Sequence, residues 1–205
     1  MTVRVRPGAP ILGTQLSDLY HSIHLDTFRL LQDYASSVMQ SYNKENLYVV
    51  HIDLPNDLLE KFNSELSYYG LPNFLYAYSF KRKLEFLPIH TSTHIDYDII
   101  RSSRINCSIV IPIEGCKNTK MYWFDGEREE TIVKTKDGNS YIGLNWLGKA
   151  TKIDQIEICE GPMLVNTTIP HSATSRIDKS YRTVLTIRLK GNPTFNEVKS
   201  KFMQD

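Results

Sequence analysis

His-x-Asp occurs three times in this chain, at His24-Leu25-Asp26, His51-Ile52-Asp53 and His94-Ile95-Asp96. An imidazole and a carboxylate two positions apart can take one face of a metal ion and leave the opposite face open, provided a further ligand arrives from elsewhere in the fold. Only the third tripeptide is followed by residues that could complete such a site. His171, preceded by Pro170, is the candidate third ligand. Between them lies the apolar run Ile105 to Ile113, in which Asn106 and Ser108 share one strand face, opposite Ile105, Cys107, Ile109 and Ile111. Two polar residues on one face of a buried strand need partners, which a bound ligand, ordered water or a neighbouring strand would supply. On the last apolar run, Tyr181 to Leu189, Arg182, Val184 and Thr186 share a face. An arginine buried beside a metal pocket is costly unless it meets an anion, and a planar carboxylate matches its fork. Arg188 falls on the same face and implies that this face is not uniformly buried.

The other two tripeptides have sufficient local explanations. Asp26 stands at the start of a helical pattern in which Phe28, Leu31, Tyr34 and Val38 recur at helical spacing, so it is expected to be the N-cap. His51 and Asp53 end the β-branched run Leu47 to Leu54 beside Pro55, where a solvated histidine or a His51–Asp53 pair is expected. A second helix should follow, capped by Asn56 and ended by Gly70.

Beyond Gly70 the pattern is one of short strands. They are expected at Asn73 to Lys81, Leu84 to Ile89, Ile105 to Ile113, Lys120 to Phe124, Glu130 to Lys136, Ser140 to Trp146, Gln155 to Cys159, Met163 to Thr167, His171 to Thr174 and Tyr181 to Leu189. Glu114-Gly115, Asp125-Gly126, Asp137-Gly138-Asn139 and Glu160-Gly161-Pro162 mark turns. Such spacing suggests a sandwich or barrel, with the early helices outside one face of a mainly β, α+β domain. Tyr122-Trp123-Phe124 is expected in the core. Lys134 to Lys152 reads as a solvated hairpin, or as a lid over the open metal face. His90 is a pocket histidine or a solvated one.

Composition sets further bounds. The 205 residues, 41% of them hydrophobic, suffice for one substantial core, and no linker divides them, so a single domain is expected over 1–205. A formal charge of +1 offers no broad field for nucleic acid or a membrane surface. Cys107, Cys116 and Cys159 form neither a disulfide framework nor a zinc pattern, which points to a reducing compartment. The segment from Met1 to Pro10 lacks a secretory apolar run, and no stretch has the length of a membrane span; a soluble, cytoplasmic protein is expected.

The ordered set His94-x-Asp96, strands, Pro170-His171 and then Arg182 resembles the 2-oxoglutarate and iron(II)-dependent oxygenase superfamily. Its phrasing around Pro170-His171 is similar to both the aspartyl/asparaginyl β-hydroxylase-like and the prolyl-hydroxylase-like branches. The resemblance implies a double-stranded β-helix (jelly-roll, cupin-like) over 84–190, flanking helices and strands over 1–83, and a C-terminal tail over 191–205. It implies that His94, Asp96 and His171 hold Fe(II), and that Arg182 holds the distal carboxylate of 2-oxoglutarate. It also implies O2 as the oxidant, with succinate and CO2 released while a peptide, amino-acid side chain or small molecule is hydroxylated. Many members carry Ser or Thr two residues after the arginine, where this chain has Val184. The second carboxylate contact is then expected from Thr186, Ser108, Asn106 or Tyr97. Two other classes compete: a cupin-like metal enzyme that does not use 2-oxoglutarate, and a non-catalytic β-sandwich that binds a ligand.

Overall fold

The computed structural model describes residues 2–5, 18–42, 48–83, 93–117, 119–134, 140–175 and 181–204. The strand expected at Leu84 to Ile89, His90 and the Asp137-Gly138-Asn139 turn lie outside the described residues. Strands dominate the rest, as β1 (Thr2–Val5), β2 (Tyr20–Ser22), β3 (Tyr48–Ile52), β4 (Phe74–Lys83), β5 (His94–Asp98), β6 (Ser103–Arg104), β7 (Cys107–Glu114), β8 (Thr119–Asp125), β9 (Arg128–Lys134), β10 (Ser140–Trp146), β11 (Thr151–Glu157), β12 (Met163–Asn166), β13 (His171–Ser175) and β14 (Tyr181–Leu189). The helices are α1 (Phe28–Gln40), α2 (Asn56–Tyr68) and α3 (Phe195–Phe202). No helix of the described residues is long and apolar enough to cross a membrane.

All pairings are antiparallel, and they form two sheets compatible with a β-sandwich. One sheet is eight-stranded, ordered β1-β9-β10-β5-β13-β8-β11 with β6 beside β5; the other is six-stranded, ordered β2-β12-β7-β14-β4-β3. The central strand β7 is apolar almost throughout because both its faces are covered. Cys107, Ile109 and Ile111 on one face join Leu185, Ile187, Leu164 and Ala77 beneath the helices, where Leu31, Ala35, Phe62, Leu66 and Val198 are buried. The opposite face carries Ser108 and Val110, with Val110 packing against Val165, Val184, Met121 and Trp123 between the sheets. Strand parity thus splits one run into a helix-facing and a sheet-facing half.

Several elements differ from the sequence expectations, each for a physical reason. Asp26 is not the α1 cap: Thr27 holds that position without a side-chain cap bond. The Glu65 carboxylate from α2 instead accepts from the backbone amides of Asp26 and Thr27, and Asp26 pairs with exposed His24 at 3.0 Å. Pro55 rather than Asn56 is the N-cap of α2, while Gly70 ends that helix region at φ +64, a conformation that favours glycine. Within the stretch Lys134 to Lys152, strand β10 is hydrogen-bonded between β9 and β5. Strands β1, β2, β5 and β6 were not anticipated. His94–Asp98 alternates polar and apolar over too short a span to stand out, and forms a strand because Ile95 pairs with Ile142 of β10. The segment read as a tail contains α3, whose Thr194 and Glu197 make a full capping box. Strand β4, assigned to the flanking segment, pairs with β14 along nearly its whole length.

Candidate metal and anion site

Alternation on β5 turns His94 and Asp96 into the space between the sheets and leaves Ile95, which is fully buried, on the other face. His171 opens β13 and is the register partner of His94, the one ladder pair between these strands among the described residues. The two rings are 4.6 Å apart between centroids. An Asp96 carboxylate oxygen lies 3.6 Å from His94 Nε2 and 3.7 Å from His171 Nε2. One potential ligand atom from each residue falls within 4.8 Å of the others, making this a cluster able to hold a metal ion. His171 Nδ1 is 2.9 Å from the Ile169 carbonyl oxygen. A carbonyl only accepts, so Nδ1 carries the proton and Nε2 faces the cluster, the arrangement that fixes a ligating imidazole.

The sequence reading missed Arg188 as a site residue. It is 3% exposed, and its Nη2 donates to Asp96 at 2.6 Å and to the Tyr78 hydroxyl. The expectation that Arg188 makes this face less than uniformly buried is therefore corrected: a carboxylate on the facing sheet lets the cation be buried. Burial alone would push the Asp96 carboxyl up. The Arg188 charge, then the hydrogen bond and charge of His171 and the charge of His94, outweigh burial and hold it well below the ordinary range. Burial likewise pushes the Tyr78 phenol up, so it stays protonated. The signal for Arg188 was present in the alternation Arg182, Val184, Thr186, Arg188, since a face with valine and threonine between its arginines can be internal.

The cluster opens into a cavity of about 150 Å³ lined by His94, Asp96, Ser108, His171, Arg182 and Thr186 on its polar side. Phe80, Val110, Met121, Val165 and Val184 supply apolar walls. Arg182 is 9% exposed, and burial pulls its pKa down, partly offset by the neighbouring Cys116 thiol. Among the described residues no carboxylate pairs with Arg182, and neither its Nε nor the Ser108 hydroxyl has a hydrogen-bond partner. Asn106 does not join this group. It precedes β7 and turns toward α3, where its side-chain amide donates to the Asn192 carbonyl at 2.8 Å and its backbone amide to the Asn192 side chain at 3.0 Å. Tyr97 borders a separate groove. Thr186 and Ser108 are therefore the hydroxyls beside Val184 in the cavity, and Thr167 is a third that the sequence reading did not name.

His51 Nδ1 pairs with Asp53 at 3.3 Å, and both side chains are largely exposed. The three His-x-Asp tripeptides thus reach different ends: two local surface pairs, and one half of an interior cluster. Comparison with models of known protein families finds no match to this chain, and comparison with curated proteins finds none either.

Proposed function

We propose that this protein is a 2-oxoglutarate- and iron(II)-dependent oxygenase that hydroxylates an amino-acid side chain or small molecule. The observation that carries this reading is Arg182: a buried cation with no carboxylate partner among the described residues, in the same small cavity as a His-Asp-His cluster. A buried unpaired charge is costly, so a site built around one calls for an anionic ligand. Two imidazoles and a carboxylate that leave positions open form the donor set suited to non-haem iron(II).

Strand order supports a double-stranded β-helix. A long antiparallel hairpin that pairs β8 with β11, β7 with β12, β5 with β13 and β4 with β14 accounts for four of the observed ladders. Wrapping that hairpin sends successive pairs alternately to the two sheets, and its return contacts are β13 with β8 and β14 with β7. The β9–β10 hairpin is then an insertion at the apex that extends one sheet past β5.

In this reading each residue has a defined task. His94, Asp96 and His171 hold iron(II), which when bound supplies the oxidation of 2-oxoglutarate by O2 to succinate and CO2, coupled to insertion of the second oxygen atom into a substrate C–H bond. Arg188 keeps Asp96 ionised and fixes its orientation, while the Ile169 carbonyl fixes the tautomer and orientation of His171. Arg182 takes the distal carboxylate of 2-oxoglutarate, with Ser108 and Thr186 as the nearby hydroxyls. The valine, methionine and phenylalanine walls exclude water from the bound ligand. The test is anaerobic loading with iron(II) followed by measurement of succinate from 2-oxoglutarate in air. Iron-dependent succinate formation, lost in His94→Ala, is expected; no iron-dependent turnover together with unchanged metal binding in His94→Ala overturns the reading. Calorimetry with 2-oxoglutarate on the parent and Arg182→Ala separates it from a metal enzyme that does not use this co-substrate.

A further inference from the structure

A second groove, of about 380 Å³, is lined by Tyr78 and falls within the range of small-molecule pockets, roughly 300–1,000 Å³. We propose that this groove receives an uncharged aromatic ring of a small-molecule substrate; that the ring's bearer is the compound oxidised rests on the oxygenase reading above. The walls argue for a ring. Tyr76 and Tyr78 stand in a row on β4, stacked with centroids 6.0 Å apart and planes at 27°, and His51 on β3 continues the row 6.1 Å from Tyr76. Ile100 is 88% exposed and forms an apolar rim. Aromatic faces and edges of this kind favour offset or edge-on contact with another ring over contact with a saturated group.

The charges argue against an anion. Arg101, at the groove, is paired with Asp98, which also accepts from the Tyr76 hydroxyl at 3.3 Å. Arg188, behind Tyr78, is paired with Asp96. Among the described residues, both cations near the groove thus carry a carboxylate partner, unlike Arg182 in the inner cavity. A nucleic-acid strand would require basic side chains available to its phosphates. The groove also lies where a substrate should be. Asp98, which lines the groove, shares a face of β5 with Asp96, about 7 Å along the strand, and Tyr78 in the groove wall reaches Asp96 through Arg188. The second His-x-Asp tripeptide acquires a role here: Asp53 engages Nδ1 of His51, which leaves the rest of the ring toward the groove.

The proposal is tested by titrating the full chain, with and without zinc(II) and 2-oxoglutarate, with indole, cyclohexanol and a tryptophan-containing hexapeptide, following backbone amide shifts by NMR. Indole should move the amides of His51, Tyr76 and Ile100, and cyclohexanol should bind about tenfold more weakly. Ile100→Asp, at an exposed position, and Tyr76→Leu should each weaken indole about tenfold, Tyr76→Phe should retain it, and 2-oxoglutarate binding should stay within about twofold in all three. No shifts at millimolar indole, equal binding of cyclohexanol, or indole binding indifferent to both Ile100→Asp and Tyr76→Leu overturns the proposal. Binding of the peptide without binding of indole overturns it in favour of a polypeptide ligand. If 2-oxoglutarate fails to bind while indole behaves as expected, the oxygenase reading falls and the groove assignment stands.

Discussion

Arg182 and Arg188 stand on the same face of β14, both buried, yet among the described residues Arg188 has a carboxylate partner and Arg182 has none. Arg188 meets Asp96 and the Tyr78 hydroxyl. Arg182 meets a neutral thiol. Folding the same side chain into the same strand face twice costs similar desolvation, so the lack of a carboxylate partner for Arg182 among the described residues supports the proposed anion contact there. At Arg188 the charge serves the protein itself.

Four measurements can break or sharpen this contrast. The largest effect belongs to Arg188→Met, which strands the Asp96 carboxylate in a poorly solvated site and should destabilise the metal-free protein by about 3 kcal/mol in denaturant unfolding. Equal stability in this variant would remove the distinction. Arg182→Met should do the opposite to the ligand-free fold, leaving stability unchanged or raising it by about 1 kcal/mol, because an unpaired buried cation is removed. The same change should weaken 2-oxoglutarate binding by about tenfold or more in calorimetry.

Acidity gives the third measurement. The folded Asp96 pKa lies below its ordinary value of 3.8. As pH falls below about 5 toward 2, the unfolded chain takes up that proton while the folded chain resists it, so this contribution to stability is present above the ordinary value and shrinks on acidification. The stability gap between the parent and Arg188→Met should therefore be widest above about pH 5 and narrow toward pH 2. A gap that widens in acid contradicts the assignment of Arg188 as the holder of Asp96. The smallest effect is expected from Ser108→Ala, which removes an unpartnered buried hydroxyl: slight stabilisation without ligand, and a loss of less than about tenfold in 2-oxoglutarate affinity. Lower stability in that variant would show that the hydroxyl already serves the fold.

Much of this organisation was legible in the residues, and the exceptions have causes. Strands such as Ser140–Trp146 and Tyr181–Leu189 were read to the residue because β-branched and aromatic runs ended at clear turns. His94, Asp96, His171, Ser108, Arg182 and Thr186 were named from order and parity, and all line one cavity. Asn106 was assigned there by parity alone, but parity holds only within a strand, and β7 begins one residue later. Arg188 was misread because an arginine's burial depends on a carboxylate from the facing sheet, a contact no local pattern encodes. The Glu65 contact with the start of α1 is non-local in the same way, whereas the Thr194–Glu197 capping box was visible and passed over.

Among the described residues one rung joins β5 to β13, and it is the His94–His171 pair. Two distant stretches of chain therefore meet where their imidazoles stand 4.6 Å apart, so the ring contact packs the seam that the main-chain pair holds. A solvent-exchange map should find the amides of Ile95 and Ser172 more openable when either ring is cut back to alanine, because the ring contact that packs the two strands together is lost while the main-chain pair remains.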